Sequence, residues 1–532
     1  MHYTQTVDYR IRRTKMQQAQ RFLKLTAWGA IGLVTLVGMG AVVIRALNGL
    51  GVTNLNFIVP WGLWVAFYIY FIGLSAGSFL MSTMVYVFGF KKLESIGRLA
   101  LFSALIFLIA GMNFVLIDLG RMERFWTVFV NRNLWSVLEI EIHFYVLYIV
   151  ILTLELWLLM RRDLVVCGQG NDWKARICRI LAFGSKDVSD ESVARDRRIV
   201  RVLGIIGLPV AIGVHGGTGA LFAVVKARPM WYGPLFPIIF IVSALASGSA
   251  LLTFVLAFFA GKGMAKQERD ELVLLLGKIT AGFLAFDLLL LWSEFSVGIY
   301  GNIPEDLEVM RLILFGPFWW VFWFVQIIFG AFVPLLIIFL PATGKNPKWV
   351  GLAGFMVVVG IIGVRLNIVI PALSIPVLPG LDEAYTMLPA PTQAFTTYPP
   401  VILTWLNRFA ILAALGTFGI FGLIALRRLR GQEAYRFQRG LVSIGTAVAV
   451  LAIALFVLRW VGGTAVTTLG LGISGLDLTQ TPIGGILGQT ELHSFYIPSP
   501  NEWLSSAGLI GMAIIMFAVG YMVLPLESKE GH

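Results

Sequence analysis

Twelve apolar runs, each long enough to cross a hydrocarbon layer, leave this chain few alternatives to a bundle of membrane-spanning helices. They fall at about 25–46, 57–89, 97–118, 137–160, 200–226, 233–260, 271–300, 311–340, 348–371, 402–427, 438–460 and 503–525. Lipid offers no partner for backbone N–H and C=O groups, so each run has to satisfy its own, which a helix does. The composition agrees, with 58% hydrophobic and 13% charged residues. The expected fold is therefore all-α, a polytopic transmembrane helical bundle of about twelve spans. Several runs exceed the minimum length, which predicts tilt or a re-entrant start, notably at Pro60-Trp61-Gly62.

A net charge of +12 would point to nucleic acid in a soluble chain; here loops on one side of a membrane account for it. With the N-terminus inside, 30 of the 41 Lys and Arg residues fall in inward segments. The long outward segments 372–400 and 461–502 contain none. Both termini are thus expected in the cytoplasm, and no nucleic-acid partner is expected. The basic N-terminal stretch (Arg10, Arg12, Arg13, Lys15, Arg21, Lys24) runs straight into an apolar segment too long for a signal peptide, so the first helix should be retained. The two cysteines, Cys167 and Cys178, lie in one charged loop. They exclude a disulfide framework and four-cysteine cluster ligation within the chain. A bridge between them is conceivable, but free thiols in a reducing cytoplasm are the expectation.

The charge pattern marks where chemistry belongs. Asp118, Arg121, Glu123, Arg124, Glu139, Glu141 and His143 crowd the stretch from Ile117 to Tyr145, between two apolar runs. Ionisable groups at a membrane edge are costly unless paired or functional; the plainer reading is an interfacial loop with arginines on lipid phosphates. Further outward-facing basic residues are Arg132, Lys226, Arg228, Arg311 and Arg365. In span 5, His215 precedes Gly216, Gly217 and Gly219, which either make room for a flat ligand or close a helix crossing. Span 6 carries the small-residue face SALASGSALL. Asp287 and Glu294 in span 7 are two turns apart on one face, and Glu155 lies in span 4. They are either steps of a proton path or hydrogen-bonded helix contacts.

Four motifs in order resemble the NrfD/PsrC family, the membrane subunits of polysulfide-reductase-type complexes, related hydrogenase complexes and alternative complex III. They are DLGRMERFW, HGGTGALFAVVKARPMW with SALASGSALL, VRLNIVIP with LPGL, and YIPSPNEWL with LPL. The likeness covers about 55–375 and 490–526. Met122 stands where the family usually has proline, and the helix pair 402–460 goes beyond its usual eight to ten spans. The resemblance implies a quinone or menaquinone substrate near the outer face and a neighbouring iron–sulfur partner. It implies no haem or cluster in this chain.

The organisation expected is a basic N-terminus with the first helix (1–56), an eight-helix core (57–371), outward segments with the extra helix pair (372–502), and a closing helix with a cytoplasmic tail (503–532). The functional reading is a quinone-reactive subunit of a respiratory oxidoreductase in a prokaryotic cell membrane, not catalytic alone. Proton transfer falls to His143, His215, Asp118 and Glu141, because histidine beside a carboxylate moves protons near neutrality. Arg121, Arg124, Gly216, Gly217, Trp126 and Trp231 would shape the quinone site, with Phe125 beside them. A ferredoxin-like subunit and a larger catalytic or electron-carrying subunit would sit outside. No metal site is expected. A cytochrome b-type anchor would have only His143 and His215 for one haem. A secondary transporter would place its ionisable groups at midplane rather than at the edge.

Topology reporters fused within 161–200 should read cytoplasm, and those within 372–400 or 461–502 the outside. An outward signal from 161–200 would break the twelve-span arrangement.

Overall fold

The computed structural model describes residues 2–56, 58–261, 263–316, 318–375 and 496–526, with three more at 443–446, and side chains from Lys24 onward. All regular elements among these residues are helical. Among the described residues, ten helices are long and apolar enough to cross a membrane. The expected spans at 402–427 and 438–460, the segments 376–495 and the end of the chain beyond 526 lie outside the described residues. The chain divides into two units. One comprises 38–387 and 490–532; the other, 1–37 and 388–489, is described chiefly in the start of α1 (His2–Asn48).

The larger unit is built around α2 (Leu63–Tyr86), whose apolar span is buried throughout. It packs against α3 (Glu94–Asp118), α7 (Asp190–Ala223), α8 (Leu235–Phe258) and α12 (Pro347–Leu373). Small residues allow this. Gly77 and Gly248 meet where α2 crosses α8, and a Cβ on either would collide with the other helix's backbone. Such crossings suit membranes, where helices associate through close van der Waals contact and not through expulsion of water. The face read from SALASGSALL is this crossing, with Ser243, Ser247 and Ser249 buried beside it.

Between α3 and α5 (Val137–Cys167) runs a polar loop containing the short α4 (Thr127–Val130). Beyond α5, α6 (Trp173–Leu181) folds back on it, and the Asp172 side chain caps α6 through the Ala175 N–H at 3.0 Å. This turn sets the Cα atoms of Cys167 and Cys178 5.9 Å apart, and their sulfurs are bonded. The expectation of free thiols is corrected: the hairpin brings both cysteines within disulfide range.

Three further departures are local. The Pro60-Trp61-Gly62 start is an irregular entry: α2 begins at Leu63, whose N–H donates to the Tyr496 hydroxyl at 3.0 Å. The apolar run 311–340 is two pieces, α10 (Pro304–Leu314) and a segment from Val321 to Phe339. α10 ends at Leu314, before the π-helical stretch begins at Val321. That second segment is π-helical over Val321–Phe332 before continuing as α11 (Val333–Phe339). Finally, Arg365, eight residues before the end of α12, is fully buried rather than facing outward. The remaining elements are α9 (Lys266–Gly301) and the closing α13 (Pro500–Val523).

If the α2–α8 crossing holds the bundle, Gly248→Val should lower stability by about 1–3 kcal/mol or more through overpacking. Gly282→Val is the matched control, since a Cβ there meets nothing within 4 Å. Thermal denaturation of the two purified variants checks this, and equal melting would reject the crossing's role.

Candidate functional site

The loop end of the bundle, where α3 stops and α5 begins, gathers two buried polar clusters on α2. The first is tied by Arg45 of α1, which is 1% exposed. Its Nε donates to the Ile117 carbonyl at 2.9 Å and its terminal nitrogen donates to the Leu119 carbonyl. A helix leaves its last carbonyls without partners, and here an arginine from another helix supplies them. Asp118 lies within electrostatic range of Arg45 and of Glu502, and its Oδ1 is buried without a hydrogen-bond partner.

Glu502, 0% exposed, opens α13 in a capping box with Ser499. Its carboxylate accepts from the Asn54 N–H at 3.0 Å, the Ser499 N–H at 2.8 Å and the Tyr496 hydroxyl. Trp64 of α2 donates to the Ser505 hydroxyl at 3.0 Å. Burial, reinforced by the neighbouring carboxylate, pushes the Tyr496 phenol well above its ordinary pKa, so it stays a donor.

The second cluster centres on Glu141 of α5, 1% exposed. Its Oε1 accepts from the Tyr145 hydroxyl and, at 2.5 Å, from the Thr218 hydroxyl of α7, while Oε2 has no partner. The Tyr68 phenol of α2 is in electrostatic range of both Glu141 and Asp118 and so links the two clusters.

One turn before Thr218, His215 is 1% exposed, and neither ring nitrogen has a hydrogen-bond partner. The imidazole packs 5.3 Å from the Phe240 ring, whose face carries the Arg365 guanidinium at 4.7 Å. Gly73 of α2 makes this packing possible, because a Cβ there would lie 3.1 Å from His215 Cε1 and 3.5 Å from Arg365. Arg365 donates to Ser243 at 3.0 Å but leaves Nε and a terminal nitrogen unpaired.

Aromatic rings run from this centre toward the loop end: Phe240 to Phe222 at 5.9 Å, then Trp231 at 4.9 Å, which stacks on Trp61 at 6.1 Å. Trp231 is buried, its indole donating to the Ile368 carbonyl at 2.7 Å.

The sequence-derived residues thus separate into groups. Glu141 is joined through Thr218 to α7 one turn from His215, and Asp118 is within electrostatic range of Tyr68. His143 does not join them. Two positions from Glu141, it sits about 200° around the helix and faces the loop. There Nδ1 meets the Glu139 carbonyl at 2.7 Å and Nε2 meets Arg132 at 3.2 Å. His143 and His215 therefore occupy different surroundings.

Of the glycines, Gly217 faces the Glu141 side chain, whereas Gly216 and Gly219 pack against α8 at Ile241 and Pro237. Arg121, Arg124, Phe125 and Trp126 are exposed on the loop, with Trp135 95% exposed beyond them. Asp287 and Glu294 line a separate cavity of about 40 Å³ together with Gln326 and Asn367, which are bonded to each other at 2.8 Å. That volume holds about two or three waters. Glu155 is 2% exposed in α5, with Oε1 unpaired. Among the described residues no group of three or more His, Cys, Asp or Glu is placed to hold a metal ion.

Tyr68, Tyr145, Thr218, Arg45 and the central position of Arg365 escaped the sequence reading. The aromatic hydroxyls are hidden in apolar runs. The lone charge of Arg45 near the end of the first span was the one signal that could have been followed.

A family model for "Polysulphide reductase, NrfD" matches residues 51–377. A selenate reductase subunit of Mesobacillus selenatarsenatis is 42% identical over 396 residues, covering 73% of this chain and 91% of that protein. The Hdr-like menaquinol oxidoreductase integral membrane subunit of Archaeoglobus fulgidus is 27% identical over 72% of this chain and 88% of its own length. The integral membrane subunit of menaquinone reductase from Nitratidesulfovibrio vulgaris is 25% identical over 64% and 79%.

Tyr496→Phe removes one donor from the buried Glu502 carboxylate and should cost about 1.5–3 kcal/mol, the range for a hydrogen bond to a charged group. Chemical denaturation of the purified variant measures it; an unchanged midpoint would remove Tyr496 from the interlock.

Proposed function

Given that the chain belongs to the polysulphide reductase NrfD family, we propose that it is the quinone-reactive membrane subunit of a respiratory oxidoreductase. One observation carries this reading: Glu141 and His215, both fully buried, keep polar atoms without partners near the end of the bundle. An unsatisfied buried group costs about 1–3 kcal/mol, so such atoms call for a ligand that completes them. The relatives named for menaquinol and menaquinone point to a quinone.

A quinone supplies two ring oxygens that gain or lose protons as electrons are exchanged. His215, free at both nitrogens, presents a donor or acceptor to one oxygen. Glu141 holds or releases a proton at Oε2 while Tyr145 and Thr218 fix Oε1. Gly73 and Gly217 leave space at the imidazole and the carboxylate. Phe222, Phe240 and Trp61 keep water out. Tyr68 and Asp118 carry the proton onward to the membrane edge.

Four-cysteine ligation needs more than the two cysteines of this chain, so electrons pass to or from an iron–sulfur subunit. Its docking surface in this proposal is the exposed loop with Arg121, Arg124, Phe125, Trp126 and Trp135, which His143 helps to position through Arg132. A larger catalytic or electron-carrying subunit follows it on the extracytoplasmic side of a prokaryotic cell membrane, with both termini of this chain in the cytoplasm. Asp287, Glu294 and Glu155 serve as steps of a proton path. Asp306, beside Glu294, has its carboxyl pushed up by burial, which suits a group that holds a proton.

His215→Ala and Glu141→Gln should each lower quinol-linked turnover about 10²–10⁴-fold, the effect of removing a proton-transfer group. The complex should still assemble, and its partner's clusters should still be reducible. Full turnover by an assembled His215→Ala complex would remove the histidine from the reaction.

A further inference from the structure

At the opposite end of the bundle, far along the helices from the polar loop, lies a cavity of about 430 Å³. It opens between the end of α2, the start of α3, the second half of α5 and the first turns of α7. Arg98, Arg162, Arg197, Arg198 and Arg201 line it, against Glu94, Asp163 and Asp196. The acids neutralise part of this charge, and Arg162 is paired with Asp190 at 3.6 Å. Asp163 is taken by Arg98, and Asp196 is held at 2.5 Å by Arg161, which also bonds Ser185 at 3.0 Å and the Asp187 carbonyl at 2.7 Å. Arg198 and Arg201 are exposed and make no ion pair among the described residues.

The remaining lining is apolar and continues into lipid-facing surface. On α7, Ala194, Arg198 and Arg201 form one helical stripe whose next position is Ile205, 53% exposed. On α5, Leu158 lies one turn from Leu154, 44% exposed. Two exposed arginines without an ion pair, Arg198 and Arg201, set at the ends of spanning helices and leading onto two apolar tracks, fit one kind of molecule: an anionic headgroup with acyl chains. Arg198 and Arg201 thus bring two positive charges to the lining.

We propose that this cavity binds a phospholipid carrying two phosphodiester groups, as cardiolipin does, with its phosphates on Arg198 and Arg201. Its chains lie along Leu154 of α5 and Ile205 of α7.

The test uses the full-length protein in its complex, purified in mild detergent and reconstituted into nanodiscs of neutral lipid with a small fraction of cardiolipin or of phosphatidylglycerol. Retained lipid is measured by mass spectrometry after extraction. R198A/R201A should reduce cardiolipin retention about thirty-fold, the effect of two headgroup-level charges. R176A, an exposed arginine on α6 that does not line the cavity, should leave it unchanged. Equal retention by the two variants would overturn the assignment. So would retention of phosphatidylglycerol as strong as that of cardiolipin. Release of the lipid by millimolar inorganic phosphate would reassign the cavity to free phosphate and overturn the lipid reading. Both variants are surface changes, and an unchanged melting temperature confirms that the fold is intact.

Discussion

The contact between Gly77 and Gly248 fixes how close α8 comes to α2, and that distance sets the geometry of the protein's buried centre. With a side chain at either position, α8 would stand off by the width of a methyl group or more, and Phe240 and Ser243 would withdraw from α2 and α7. The packing of His215 against Phe240, and of Arg365 above the same ring, rests on that proximity. A helix buried on all sides also has no lipid-facing surface to adjust. Its neighbours must come to it, and Gly73 is where the imidazole does so.

Polar atoms in the bundle follow a division of labour. At the rim most are paired: Glu502 accepts three donors and Arg45 fills the last carbonyls of α3, while Asp118 keeps one oxygen without a partner. Toward the centre they are not, since Glu141, His215 and Arg365 each keep an atom unpaired. A membrane interior punishes unsatisfied groups, so those that persist there mark positions reserved for something other than holding the fold. The rigid rim keeps the unsaturated centre from collapsing on itself.

Much of the fold was legible in hydropathy, because spanning length and internal hydrogen bonding leave helices as the solution. The small-residue face of α8 and the shared face of Asp287 and Glu294 also read correctly from spacing alone. Where the reading went astray, a local feature was masked by average hydrophobicity. The break after α10 sat inside a run that looked continuous, and Arg365, read as facing outward, is fully buried. The separation of His143 from Glu141 was available in principle, because residues two apart cannot share a helical face. Tyr68 was not, since a tyrosine among Phe67, Tyr70 and Phe71 carries no mark of its neighbours on other helices. The pairing of Cys167 with Cys178 depended on how α6 folds back, which spacing did not reveal.

The bond from the Asn54 N–H to Glu502 joins residues 448 apart in the chain. During synthesis the ribosome emits Asn54, Leu63 and Trp64 first and Glu502 last. At roughly 5–20 residues per second the interval is on the order of 20–90 s. Throughout that time the entry to α2 lacks the acceptors that complete it, so the central helix waits in the bilayer with its rim open. The last span to be inserted is the one that closes it. A nascent chain that stalls before α13 would hold every residue of the buried centre yet leave the Asn54 N–H without its carboxylate acceptor.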